Sequence, residues 1–129
     1  MKRMRDLGVS MLALLALLGI ASAQKWTPLK HPGGYTGVGA MLLLTDGRVL
    51  MHDEGTNILD WYTLTPDKTG SYINGPVKKV ASMPSDYAPL YFGSVVLPDG
   101  RVTVEGGEYL CLPNCNAVWT NLGAIYDPV

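Results

Sequence analysis

The densest group of ionisable side chains is His52-Asp53-Glu54. An imidazole and two carboxylates are donors that hold zinc or a harder divalent cation. Along an extended strand, however, successive side chains leave on opposite faces, so three neighbours do not converge on one ion. The reading that follows is a turn end with solvated charges, and no catalytic, cofactor-binding or metal-binding residue is assigned. Glu105 and Glu108 form a second acidic pair. Hydrolysis of a glycosidic bond needs two carboxylates at a set separation in space, which linear spacing does not establish, and a strand end accounts for both. His31 sits in a loop before Pro32 and reads as a solvated residue. No Gly-x-Ser-x-Gly, His-Glu-x-x-His or phosphate-loop motif occurs.

Cys111 and Cys115 are candidates for a local disulfide, closing Cys-Leu-Pro-Asn-Cys. A metal pair at this spacing needs further ligands, and no nearby histidine supplies them. Two free thiols on an inserted loop remain the plain alternative. The aromatic residues Trp61, Tyr62, Tyr72, Tyr87, Tyr91, Tyr109, Trp119 and Tyr126 offer rings on which a carbohydrate can stack. Aromatics between packed sheets more often serve as core, so burial decides between the two roles.

These side chains are carried by a chain of 129 residues with a formal net charge of −1. Its first 23 residues read as a secretory signal peptide. Lys2, Arg3 and Arg5 make a basic start, Leu7 to Ile20 is uncharged and mostly apolar, and Ala21-Ser22-Ala23 suits cleavage before Gln24. The uncharged stretch ends at Ala23 after 17 residues, short of the ~20 that a membrane span needs. Cleavage removes three positive charges and one negative, leaving 7 positive against 10 negative. There is no basic stripe, which argues against nucleic acid as a partner. The expected location is secreted or periplasmic, with no stable membrane insertion after cleavage. Export also supplies the oxidising compartment in which a disulfide persists.

The positioning elements are hairpins. Val95-Val96-Leu97-Pro98-Asp99-Gly100-Arg101-Val102-Thr103-Val104 reads as strand, turn and strand. Pro98 suits the first central position of a type I turn, and Gly100 the left-handed residue that follows it. Gly106 and Gly107 then end the second strand, where a sharp turn or close backbone approach is expected. Ala40 to His52 repeats the pattern, with Leu44, Asp46, Gly47, Arg48 and Val49 each 53 residues before Leu97, Asp99, Gly100, Arg101 and Val102. Ile58 to Leu64 reads as a third strand, Pro66 to Gly70 as a turn, and Ser71 to Asn74 as a short fourth strand. Val77 to Ala88 reads as a crossing to the second unit. There, Ile125 is set against Leu64, which places an insertion of eight residues around the cysteine loop. The expected fold is all-β: about two units on the scale of a four-stranded propeller blade, each burying its faces only against its own kind. The expected organisation is a signal peptide over 1–23, a lead-in segment over 24–37, and incomplete blades over 38–129 that begin a longer protein.

Leu97-Pro98-Asp99-Gly100-Arg101-Val102, then Gly106-Gly107, then Ala124-Ile125-Tyr126-Asp127-Pro128 together resemble the kelch repeat of galactose-oxidase-like propellers. The likeness covers most of residues 38–129. Asp46, Gly47, Asp99, Gly100, Gly106, Gly107 and Tyr126 match repeat-defining positions. The first copy departs from the pattern, with Asp53-Glu54 where the diglycine belongs. The resemblance implies a propeller of seven blades that acts as an exported binding or scaffold module for a protein or carbohydrate ligand. The alternative it implies is part of a copper radical oxidase whose ligands lie beyond this chain. Whether the complete protein is an enzyme stays open at this point.

Overall fold

The computed structural model describes residues 24–31 and 33–129. The signal-peptide reading falls on residues 1–23, outside the described residues. The described chain is all-β, with ten strands in three antiparallel sheets and no helix.

The first sheet is a meander of β1 (Val38–Leu43), β2 (Val49–Asp53), β3 (Trp61–Leu64) and β4 (Val77–Lys79), paired in that order. A two-residue strand, β5 (Pro89–Leu90), follows. The second sheet holds β6 (Gly93–Val96), β7 (Val102–Glu105) and β10 (Gly123–Tyr126), with β7 in the centre. Between β7 and β10 the chain makes the hairpin of β8 (Tyr109–Cys111) and β9 (Cys115–Ala117). With β5 this hairpin forms the small third sheet, in the order β5-β8-β9.

The two long hairpins share one geometry. Leu43 pairs with Val49 and Val96 with Val102, so each turn spans five residues. In the first, the Gly47 N–H donates to Leu44 O at 3.0 Å; in the second, Gly100 N–H donates to Leu97 O at 2.9 Å. Gly47 and Gly100 sit at φ of 85° and 89°, the left-handed position after a type I turn. Each Asp carboxylate accepts from the N–H and the Nε of the arginine two residues on, at 2.6–3.1 Å. The same chemistry thus recurs 53 residues apart. The third strands extend the match: Leu64 pairs with Val49 as Tyr126 pairs with Val102. Tyr126, not Ile125, is therefore the counterpart of Leu64, and the insertion is nine residues rather than eight.

Strand alternation gives each sheet two faces. The inner faces meet in a core of Leu44, Leu50 and Trp61 from the first unit with Tyr87, Val102 and Val104, joined by half-buried Ala40, Leu42, Val96, Ala124 and Tyr126. The outer face of the first sheet carries Met51, Tyr62 and Leu64, covered by Leu29 and Tyr35 of the lead-in and by Tyr72. Among the described residues, the second sheet has no corresponding cover, and Val95 and Ile125 are more than half exposed.

The fourth strand is not Ser71–Asn74 but Val77–Lys79, which lies in the stretch expected to be a crossing. Asp67 explains the shift. Its carboxylate accepts from Thr69 Oγ1, Ser71 N–H and Thr69 N–H at 2.7–3.0 Å, holding residues 67–71 as a turn. These bonds pull its pKa down to about 2. Tyr72 then points its hydroxyl back to Gly47 O at 2.7 Å instead of entering a ladder.

The paired glycine turns make a direct prediction. Gly100→Ala forces a β-carbon into the left-handed region, 3.0 Å from Thr45 Oγ1. Unfolding in urea should show a loss of about 1–2 kcal/mol. Gly93→Ala meets nothing nearer than 3.7 Å and should change stability by less than about 0.5 kcal/mol.

Candidate functional site

The end of the fold that carries the β2–β3 connection and the inserted hairpin holds most of the chemistry-bearing residues. His52 and Asp53 belong to β2 and are 1% and 0% exposed, so they are not solvated turn charges. Alternation sends them opposite ways. The His52 Nε2–H donates to Ile58 O at 2.7 Å, because a carbonyl only accepts. Its ring lies 4.9 Å from Trp61 and 5.1 Å from Phe92, centre to centre. Nδ1 faces Glu54 Oε1 at 3.8 Å, beyond hydrogen-bond range. Asp53 turns to the lead-in. One of its oxygens accepts from Gly55 N–H at 2.9 Å, Gly37 N–H at 3.1 Å and Thr36 N–H at 3.2 Å. This carboxyl fastens the lead-in to the first sheet. Among the described residues, no group of three or more His, Cys, Asp or Glu is placed to hold a metal ion. His31 is exposed.

Asp60 is held on the next strand's approach. Lys79 Nζ reaches one oxygen at 2.6 Å, and Ser82 Oγ donates to the other at 2.7 Å. Burial alone raises its pKa. The hydrogen bonds from Lys79 and Ser82, with the Lys79 charge, outweigh burial and leave it below the ordinary 3.8. Beside it a cavity of about 290 Å³ runs between residues 56–60 and Cys111, Leu112 and Pro113. Cys111 and Cys115 are joined by a disulfide across β8 and β9. Cys111 packs with Ile58 and Ala88 beneath this cavity, so the insertion is anchored on the first unit's β2–β3 loop.

The third sheet sorts the aromatic candidates. Trp61, Tyr62 and Tyr87 are buried; Tyr72, Tyr109 and Tyr126 are half-buried. Tyr91 and Trp119 stand out at 70% and 81% exposure. Tyr91 holds φ of 55°, in the left-handed region that a bulky residue rarely enters. Its ring meets Tyr109 edge to face at 5.8 Å. Glu108 N–H donates to Leu90 O at 3.0 Å, Val118 N–H to Glu108 O at 3.0 Å, and Thr120 N–H to Gly107 O at 3.2 Å. Tyr91 and Trp119 therefore flank the same segment, 107–109, from its two sides. Gly107, at φ of 136°, permits the approach, since a β-carbon there would lie 2.8 Å from Pro89 Cβ. Tyr87 Oη donates to Gly106 O at 2.7 Å and supports the diglycine from below. Glu105 and Glu108 stand on either side of the diglycine in the chain, Glu105 exposed and Glu108 half-buried. Sequence reasoning named both exposed aromatics but could not separate them from the buried ones, because the insertion's very short strands carry no periodic pattern.

Comparison with known proteins finds no matching family model, no matching curated protein and no matching solved structure.

The two buried carboxyls can each be tested. Asp53→Ala strands three backbone donors and should cost about 3 kcal/mol, with amide exchange rising first at Thr36 and Gly37. For Asp60, the lowered folded value means that its stabilisation is complete above 3.8 and fades as pH falls through the folded pKa. In Lys79→Met, burial acts with less opposition, and carboxyl-carbon NMR should show the Asp60 midpoint move upward.

Proposed function

We propose that this chain is part of an exported kelch-type propeller, and that the third sheet binds a carbohydrate. The reading of the unit as a propeller blade is supported by the two Asp-Gly-Arg hairpins at a 53-residue spacing and by the four-strand meander of the first sheet. Export is supported by the basic start, apolar run and small-residue cleavage pattern. A disulfide between Cys111 and Cys115 suits the same compartment.

One observation carries the binding reading. Two largely exposed aromatic rings, Tyr91 and Trp119, flank a single backbone segment, and Tyr91 is held there against its backbone preference. A pyranose ring has an apolar C–H face and a rim of hydroxyls. Flat aromatic side chains cover the first, and carboxylates such as Glu105 and Glu108 accept hydrogen bonds from the second. Exposed rings beside a half-buried tyrosine offer the flat apolar surface that a sugar's C–H face covers. A carbohydrate is therefore the partner it fits best, and binding needs no catalytic group.

The test is affinity electrophoresis of the mature chain, residues 24–129, through gels holding soluble plant or microbial polysaccharides. At least one polysaccharide should retard the chain. Tyr91→Ala and Trp119→Ala should each weaken that binding about tenfold, near 1.4 kcal/mol. Trp26→Ala, at a still more exposed ring in the lead-in, should leave it unchanged. Equal mobility in every polysaccharide would remove the proposal.

A further inference from the structure

The connections between second and third strands meet at one end of the fold. In the first unit β2 leads to β3 through residues 54–60, and in the second β7 leads to β10 through the inserted hairpin. Register makes these connections counterparts, since Leu64 stands to Val49 as Tyr126 stands to Val102. The cavity of about 290 Å³ lies between them, with residues 56–60 on one side and Cys111, Leu112 and Pro113 on the other. Neither end of the described chain contributes to its lining.

Both walls are fixed by the fold itself. On the first, His52 Nε2–H donates to Ile58 O at 2.7 Å, Asp60 N–H to Asn57 O at 2.7 Å, and Met83 N–H to Leu59 O at 2.8 Å. On the second, Cys111 N–H donates to Ala88 O at 2.9 Å, and the disulfide closes the hairpin. Walls that are already ordered spare a ligand the cost of ordering them.

The lining sets the class of ligand. Asp60 is its one charged residue, and Lys79 Nζ balances that charge at 2.6 Å. No cationic side chain lines the cavity to attract an anion, and a cation would have to compete with Lys79 for the carboxylate. What is left to bind a ligand is neutral: the exposed Thr56 hydroxyl and Asn57 amide, beside apolar Ile58, Leu59 and Leu112. Hydroxyl and amide groups each donate and accept hydrogen bonds. A few polar groups on an apolar wall match a neutral sugar, which is apolar on one face and rimmed by hydroxyls. The volume lies near the lower end of the ~300–1,000 Å³ usual for small-molecule sites, which suits a single ring.

Tyr109 connects this cavity to the aromatic patch. Its ring meets exposed Tyr91 edge to face at 5.8 Å, and its side chain also packs with Ile58, Ala88 and Cys111 beneath the cavity. Tyr109 and Cys111 stand two positions apart on β8, so they share a face of that strand.

We propose that the cavity is a second subsite of the carbohydrate site: it holds one neutral sugar unit of a chain that also stacks on Tyr91 and Trp119. This rests on the reading of the aromatic patch as a carbohydrate site, and it extends the ligand to a neutral oligosaccharide of two or more units. Asn57 hydrogen-bonds the unit in the cavity.

Oligosaccharides separated by length from a partial acid hydrolysate of a retarding glucan or galactomannan, titrated into the isotope-labelled chain of residues 24–129, read both subsites by NMR. Amide signals of residues 56–60 and of 107–109 should shift together along one binding curve. Asn57→Leu, at an exposed position, should weaken that binding about three- to tenfold, with circular dichroism matching the wild type. In affinity electrophoresis the anionic polymer polygalacturonate should leave the chain unretarded. Shifts confined to 107–109, or an Asn57→Leu chain that binds as tightly as the wild type, overturn the second subsite and leave the aromatic one standing. Retardation by polygalacturonate but by no neutral polysaccharide overturns the neutral class. Equal mobility in every polysaccharide removes the aromatic site, and this subsite with it.

Discussion

The contact on which the structure depends is the one between the inner faces of the first and second sheets. Leu44, Leu50 and Trp61 close on Tyr87, Val102 and Val104, all less than 5% exposed. The longer connections lie largely outside this contact. Those loops are held by separate polar devices. Asp53 ties down the lead-in, Asp67 shapes the β3–β4 turn, Asp60 gathers Lys79 and Ser82, and the disulfide closes the inserted hairpin.

The same contact also fixes which residues face outward. Alternation makes a strand's burial all or nothing: moving a register by one residue would exchange Val102 and Val104 for Thr103 and Glu105. The Asp-Gly-Arg turns guard against this slip, since the left-handed glycine and the Asp-to-Arg bonds allow only a five-residue connection. Once the register is held, Val95 and Ile125 must point away from the core, and the insertion must emerge beside the β2–β3 loop. The exposed aromatics and the open sheet face are thus consequences of one packing decision.

This explains what could be read from the residues. The long hairpins were legible because a glycine after Asp has a local steric cause. The third strands were legible in place but not in extent: Ile58 and Leu59 look strand-like, yet the Asp60 N–H turns back to Asn57 O at 2.7 Å and β3 begins only at Trp61. The fourth strand was misplaced because Val77-Lys78-Lys79 is a short, charged edge with no alternation, whereas Ser71-Tyr72-Ile73 has the right residue types. The burial of His52 was hidden by its charged neighbours, although its place one step beyond Met51 in an apolar strand was the available signal. The aromatic edge was not legible at all as a surface. Which rings are covered depends on pairings across β5, β8 and β9, and each of those strands is too short to show a period.

The face assignment is tested most directly by nuclear Overhauser contacts in the methyl-labelled chain of residues 24–129. Methyl groups of Val102 and Val104 should show cross-peaks to Leu44 and Leu50 and to the indole ring of Trp61. Val95 and Ile125, in dilute monomeric samples, should show none to the first unit. Cross-peaks from Val95 or Ile125 to Leu50 or Trp61, with those from Val102 absent, would mean that the second sheet presents its other face, and the account built on the shared register would fail.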